Sequence, residues 1–170
     1  RQAFNLAIDR RRLRDLTIGR ELGTVTCQAL PPSLAGYRRH CPYTRDPSKD
    51  GSWTAPDLDQ ARRLVATSGT AGQKVTFLIP TFLQFGAAAG RYVVSVLESL
   101  GYKAHYRFAP YLRTLRRDVQ VTVNGWSPDF AEPGGFIDPT LTCAGPSNLA
   151  AFCNPSIDRA IGRAHSLHTT

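Results

Sequence analysis

Helical and extended patterns alternate along the middle of the chain, and this order constrains the fold more than any other feature. The apolar run KVTFLIP at 74–80 predicts a buried strand, and a helical pattern at 87–101 follows it. YKAHYRF at 102–108 and DVQVTVNGW at 118–126 predict two more strands, and a helical pattern at 57–69 precedes them all. This order predicts an α/β fold built on a small sheet.

Helical patterns also occupy both ends of the chain. Apolar residues at helical spacing predict a first helix at 2–8, and Asp9 is placed to cap a second helix that we expect to end at Gly19. A final helix is predicted to begin near Ser156, directly after Pro155. The chain begins and ends inside helical patterns and contains no Met, which predicts a fragment of a longer protein.

The stretch at 20–56 is predicted to be a long loop, because prolines and glycines interrupt it throughout. The four cysteines form two local pairs, Cys27 with Cys41 and Cys143 with Cys153, at spacings unlike those of zinc knuckles. We predict two local disulfides, each contributing about 3 kcal/mol, with four unpaired thiols as the alternative. Disulfides indicate an oxidising, extracytoplasmic setting.

The chain carries a net charge of +8, and arginine supplies most of it. A basic chain is compatible with nucleic-acid binding. The arginines are scattered in pairs across different predicted elements, however, and neither an aromatic ladder nor zinc-finger spacing accompanies them. Solvated helix faces are the favoured interpretation, so no nucleic-acid partner is predicted.

No apolar run is long enough to span a membrane.

The stretch GWSPD is similar to the Gly-x-Ser-x-Gly nucleophile elbow of serine hydrolases, with Ser127 as the nucleophile. The acid and histidines that a catalytic triad would need follow in the hydrolase order: Asp138, His165 and His168. Two features argue against this interpretation. Asp129 replaces the last glycine of the elbow, and Pro128 has no backbone N–H to donate to an oxyanion. A secreted serine hydrolase is kept as an alternative.

No metal or cofactor site is predicted. His165 and His168 have helical i, i+3 spacing, but no third ligand has a recognisable position. His40 is interpreted as a loop surface residue and His105 as a residue on a sheet face. No glycine-rich phosphate loop is found in the sequence.

Four stretches of the sequence, in the same order, resemble a known family: RQAFNLAIDR, LPPSLAGY, DLDQARRLVATSG and GWSPDFAEPGGFID. They resemble the extracytoplasmic solute-binding proteins of peptide ABC importers, the family 5 group that includes oligopeptide- and dipeptide-binding proteins. The resemblance implies one lobe of a periplasmic-binding-protein-like (type II) clam-shell, with a small sheet flanked by helices. Residues 1–170 would form most of the C-terminal lobe, with the loop at 20–56 inside it.

The resemblance also implies a ligand site at the end of the third predicted strand. In peptide-binding members, the ligand backbone pairs with this strand end as an added strand. Carried over, Gly125, Trp126 and Ser127 would offer backbone groups, and Asp129 would receive the α-ammonium of the ligand through charge-assisted hydrogen bonds. Trp126 and Phe130 would give broad apolar walls for ligand side chains.

The same residues have structural interpretations too. Trp126 is a candidate for core packing, and Asp129 is a candidate for a turn-forming acid beside Pro128. The sequence also departs from the family pattern. Val123 stands where some oligopeptide binders carry an arginine, and Phe130 stands where a tyrosine often follows the anchoring aspartate.

The resemblance implies a non-enzymatic function without a cofactor. The chain would be the ligand-binding lobe of an ABC-transporter substrate-binding protein for peptide uptake, a monomer that delivers its ligand to a membrane permease. It would be extracytoplasmic and anchored through a segment outside these residues. A solute-sensing module fused to a regulatory protein is the alternative within this fold, and a nickel chelate or a sugar is the alternative ligand.

Overall fold

The computed structural model describes residues 1–83, 85–110 and 118–167. The chain divides into two compact units. The first unit comprises Arg1–Cys27 and Arg39–Gly125, and the second comprises Gln28–Arg38 and Trp126–Thr170. His168, one of the histidines considered above, lies outside the described residues.

Within residues 1–83, three short helices come first: α1 (Gln2–Ala7), α2 (Arg10–Asp15) and α3 (Gly19–Leu22). Asp9 caps α2 as predicted, because its carboxylate accepts a hydrogen bond from the backbone N–H of Arg12 at 3.0 Å. The prediction that this helix ends at Gly19 is wrong, since α2 ends at Asp15. The hydroxyl of Thr17 donates back to the carbonyl of Leu13 at 2.9 Å, and such a side-chain bond competes with helix continuation.

The loop predicted at 20–56 lacks helix and strand from residue 23 onwards, and its first residues belong to α3. The predicted disulfide between Cys27 and Cys41 is present. The buried hydroxyl of Thr44 donates to the carbonyl of Ala55 at 3.0 Å, which closes the end of the loop. Arg11 lies over the ring of Trp53 at 5.2 Å, a cation–π contact that fixes the loop on α2.

The helices and strands that follow in the first unit occur in the predicted order. They are α4 (Leu58–Ser68), β1 (Lys74–Pro80), α5 (Ala87–Ser99), β2 (Lys103–Ala109) and β3 (Val121–Thr122). All strand pairs among the described residues are parallel, in the order β2-β1-β3. Phe77 of β1 is the register partner of both Tyr106 and Val121. The prediction of an α/β fold with a small sheet flanked by helices is therefore confirmed.

The third strand is much shorter than predicted, since only Val121 and Thr122 of the run at 118–126 pair with β1. Side-chain hydrogen bonds add to the backbone pairing at both ends of this pair, where the backbone N–H of Gln120 also donates to the carbonyl of Thr76 at 3.2 Å. The N–H of Thr76 donates to the side-chain oxygen of Gln120 at 2.9 Å, and the hydroxyl of Thr122 donates to the carbonyl of Leu78 at 3.1 Å.

Helix α5 packs directly on the sheet through a glycine. A Cβ on Gly90 would lie 2.9 Å from Cδ1 of Ile79 and 3.0 Å from the ring of Tyr106, so any side chain here would force these neighbours to shift. Ile79 and Phe77 are buried beneath the helix with Val93, and Leu6 of α1 belongs to the same core. The core thus lies between the sheet and the helices on one side of it.

The second unit contains a helix that the sequence did not predict, α6 (Pro133–Leu141), followed by α7 (Pro155–His165). Pro133 occupies the first turn of α6, where its missing N–H costs nothing. Asn154 caps α7 by accepting a hydrogen bond from the backbone N–H of Ser156. The predicted disulfide between Cys143 and Cys153 closes the loop between the two helices.

No helix in the described part of the chain is long and apolar enough to cross a membrane.

Candidate functional site

The predicted ligand-binding residues fall on both sides of the division between the units. Gly125 is the last residue of the first unit, and Trp126, Ser127, Asp129 and Phe130 belong to the second. All five are exposed. The four residues of the second unit lie in an irregular stretch between β3 and α6, which we call the recognition segment (residues 126–130).

Trp126 is held by a single directional hydrogen bond. Its indole N–H donates to the backbone carbonyl of Gly135, in the first turn of α6, at 2.7 Å. The side chain remains 40% exposed, so it is not a core residue of this chain. The hydrogen bond fixes the edge of the indole and leaves part of the ring available to a ligand.

Asp129 carries an exposed carboxylate that makes no hydrogen bond or ion pair with any residue in the described ranges. The bend that follows it is closed by backbone groups, since the N–H of Glu132 donates to the carbonyl of Phe130 at 2.9 Å. A turn-forming aspartate would use its side chain for this purpose. The carboxylate of Asp129 is therefore free to bind an external cation.

Phe130 is the most exposed aromatic residue of the recognition segment, with 72% of its surface accessible. Together with Trp126, it provides apolar surface on either side of Asp129 along the chain. An exposed carboxylate flanked by two aromatic residues suits a ligand that has a cationic end and apolar groups.

The residues of the hydrolase alternative are only partly brought together. Nε2 of His165 and Oδ2 of Asp138 form a pair at 3.1 Å, which joins α7 to α6. Ser127 is exposed and makes no hydrogen bond with His165 or with any other residue that the structure describes. Because Pro128 follows Ser127, the backbone at this point lacks the N–H that an oxyanion hole needs.

No group of three or more His, Cys, Asp and Glu side chains within the described ranges could hold a metal ion. One carboxylate lies beside the second disulfide: the backbone N–H of Cys143 donates a hydrogen bond to Oδ2 of Asp158 at 3.1 Å. This bond ties the disulfide loop to α7 and gives the carboxylate of Asp158 a structural role.

Displaced pKa values in the first unit have structural causes. Hydrogen bonds from Ser48 and Ser52 lower the pKa of Asp50, against a smaller opposing effect of desolvation. Burial raises the pKa of Tyr92, whose hydroxyl accepts a hydrogen bond from the backbone N–H of Asp9 at 2.8 Å. Burial also lowers the pKa of Arg10. These groups hold loops and helices together and are not part of the recognition segment.

The family model of the bacterial extracellular solute-binding proteins, family 5 (middle region), matches residues 1–148. The chain therefore belongs to family 5 of the bacterial extracellular solute-binding proteins. The family resemblance predicted from the sequence is thereby confirmed, and the proteins of this family are binding proteins.

Two curated relatives match nearly the whole chain. A probable di/tripeptide-binding protein 5 from Pseudomonas aeruginosa is 28% identical over 98% of the chain, and heme-binding protein A from Haemophilus influenzae is 25% identical over 98%. These matches cover 32% and 30% of the two relatives. The chain thus spans about a third of the length of the curated relatives it matches.

A solved structure with the same fold is the ABC transporter-associated periplasmic binding protein DppA from Helicobacter pylori in complex with peptide STSA. The TM-score is 0.77 at 18% identity, over 98% of this chain and 32% of that chain. The fold is that of the type II periplasmic binding proteins, of which this α/β chain accounts for about a third.

Proposed function

We propose that this chain is the ligand-binding part of an ABC-transporter substrate-binding protein that takes up short peptides. Family membership and the 28% identical di/tripeptide-binding relative support this function. In the proposal, the chain forms most of the C-terminal lobe of a two-lobed, monomeric, extracytoplasmic protein. That protein has no catalytic activity or cofactor, and it delivers its ligand to a membrane permease.

The observation that carries the proposal is the exposed carboxylate of Asp129, unpaired with any described residue, three positions after a tethered tryptophan. A peptide α-ammonium has three hydrogen-bond donors and a positive charge. A carboxylate in a partly dry cleft satisfies it with charge-assisted bonds, which are about twice as strong as neutral ones. Trp126 and Phe130 would contact apolar side chains without selecting among them.

The backbone of the ligand would be recognised separately from its side chains. Gly125, Trp126 and Ser127 would offer backbone groups to which an extended peptide pairs as an added strand. Recognition through backbone groups tolerates varied sequences, which suits a nutrient receptor. Closure of two lobes over the ligand would depend on contacts that form only in the shut state.

The experiment that tests the proposal is calorimetric titration of the full-length protein with trialanine and with N-acetyl-trialanine, which lacks the α-ammonium. We expect trialanine to bind and acetylation to weaken binding by roughly 10- to 100-fold. Asp129→Asn should weaken trialanine binding similarly and should abolish the difference between the two peptides. Asp118→Asn is the matched control, because Asp118 is an exposed carboxylate in the first unit that pairs with Arg107 at 2.8 Å.

Equal binding of both peptides by the wild-type protein would contradict the amine anchor. Tight binding of hemin, a nickel chelate or a sugar in place of trialanine would contradict peptide as the ligand. The hydrolase alternative predicts labelling of Ser127 by an active-site serine phosphonate, and we expect no labelling. The genes or domains adjoining this chain would separate a transporter component from a fused sensor.

A further inference from the structure

We infer that Gly135 positions the recognition segment, so that a glycine at this point of α6 determines how Trp126 and Asp129 meet the ligand. The effect on ligand affinity rests on the proposed function, because it is measured with a peptide. Its structural part, the placement of residues 126–130 by Gly135, has a readout of its own that requires no ligand.

The first contact between Gly135 and the recognition segment is made by its carbonyl group. This oxygen accepts the indole N–H of Trp126 at 2.7 Å, the short end of the usual range for such bonds. Pro139, four positions further along α6, has no N–H to donate to this carbonyl, which is therefore available to the indole. The hydrogen bond therefore ties the orientation of the indole to α6.

The second contact is made possible by the missing side chain. A Cβ on Gly135 would lie 3.0 Å from the carbonyl oxygen of Phe130 and 3.0 Å from Cβ of Pro128. One of these atoms belongs to the backbone and the other to a stiff ring, so neither can turn aside as the end of a long side chain can. Asp129 lies between these two residues, and its backbone must follow if they move.

The backbone dihedral angles at position 135 do not require a glycine. Gly135 is not among the glycines with a positive φ, and it lies inside the helix Pro133–Leu141. An alanine would therefore suit the backbone and would raise the helix propensity. What excludes a side chain is the close approach of the recognition segment, which points to a positioning role.

Two other glycines of the second unit provide controls. A Cβ on Gly134, the preceding residue, would meet Nε2 of His165 at 3.4 Å and Oδ2 of Asp138 at 3.6 Å, which are ordinary contacts. A Cβ on Gly162, inside α7, would meet nothing within 4 Å. Alanine at Gly134 or Gly162 also raises helix propensity, and none of the atoms found nearest to its Cβ belongs to residues 126–130.

The experiment compares Gly135→Ala, Gly134→Ala and Gly162→Ala in the full-length protein. Three quantities are measured: trialanine affinity, the melting temperature, and the Trp126 indole N–H resonance of ligand-free protein labelled with ¹⁵N-tryptophan. That resonance is assigned by its loss in Trp126→Phe. For Gly135→Ala we expect about tenfold weaker binding, as for one weakened charge-assisted hydrogen bond, with a shifted indole resonance and a melting temperature no lower than that of the wild-type protein, because the gain in helix propensity offsets the strain.

An unshifted indole resonance in Gly135→Ala would overturn the inference, whatever the affinity. So would an equal loss of affinity in Gly134→Ala, or an affinity loss that parallels a fall in melting temperature. If the wild-type protein does not bind trialanine, the proposed function fails, and the indole resonance alone then decides whether Gly135 positions the segment. If the wild-type protein binds and Gly135→Ala binds equally well, the inference fails and the proposed function stands.

Discussion

Nε2 of His165 and Oδ2 of Asp138 lie 3.1 Å apart, and this pair joins the last turn of α7 to α6. Both side chains are partly exposed, at 55% and 38%. A polar contact with this much solvent exposure contributes less than about 1 kcal/mol to stability. The pair is thus a modest link between two helices, placed outside the recognition segment.

The first prediction concerns this pair. We expect His165→Gln to lower the free energy of unfolding by less than about 1 kcal/mol and to leave trialanine affinity unchanged, since the histidine contacts a helix and not the proposed ligand. Urea unfolding and calorimetric titration measure the two quantities. Loss of a hydrolytic activity in this variant would favour the serine hydrolase alternative.

The second prediction concerns the contact of α5 with the sheet. Gly90→Val should destabilise the protein by about 1–3 kcal/mol, because the added atoms would overlap Ile79 and the ring of Tyr106. Ala88→Val is the matched control, since Ala88 is exposed on the same helix and should cost only about 0.5 kcal/mol in helix propensity. Equal losses in the two variants, measured by urea unfolding, would show that α5 does not depend on this close approach.

The third prediction concerns the disulfides, which join cysteines 14 and 10 positions apart. Replacing both cysteines of either pair with serine should lower the free energy of unfolding by about 3 kcal/mol, because the unfolded chain gains the entropy of an open loop. Peptide mapping without reductant checks the pairing in the wild-type protein. Fragments that link Cys27 to Cys143 or Cys153 would contradict the structure.

The fourth prediction concerns acid stability. Hydrogen bonds from Ser48 and Ser52 hold the pKa of Asp50 below its usual range, and Arg39 pairs with the same carboxylate at 2.9 Å. A carboxylate with a lowered folded-state pKa stabilises the fold above its unfolded pKa of about 3.9. That contribution is lost as the pH falls towards the folded-state pKa.

The stability difference between the wild-type protein and Asp50→Asn should therefore be largest above about pH 4 and should shrink as the pH is lowered below it. Urea unfolding at a series of pH values from neutral to about 2.5 measures this difference. A difference that stays constant across the series would mean that the hydrogen bonds do not favour the charged form of Asp50.

Local signals predicted the first unit well, because its helices and strands are bounded by residues with clear conformational roles. Asp57 caps α4 by accepting the N–H of Gln60, and Gly69 ends it with a φ of 65°. The apolar run of β1 is buried from Val75 to Pro80, as a central strand requires.

The predictions failed where side chains or tertiary contacts override the local pattern. Helix α6 was missed because Gly134, Gly135 and Pro139 all have low helix propensity. The third strand was overestimated because an apolar alternation does not reveal where pairing stops: only Val121 and Thr122 are register partners of β1 residues.

The candidate site was predicted only in part from the sequence. The family resemblance indicated Trp126 and Asp129 and gave each a role, and those roles stay predictions. The link from Trp126 to Gly135 joins residues nine positions apart through an unpredicted helix, so no local pattern could indicate it. A proline followed by two glycines after an acidic residue was the only sequence signal near this helix start.

The central claim, a receptor for short peptides anchored at Asp129, is tested most directly by native mass spectrometry of the full-length protein incubated with a mixed peptide digest. We expect bound masses that fragment into short peptides with free amino termini, and we expect their loss in Asp129→Asn but not in Asp118→Asn. Bound masses that are heme, a nickel chelate or a sugar, or peptides retained equally by Asp129→Asn, would contradict it.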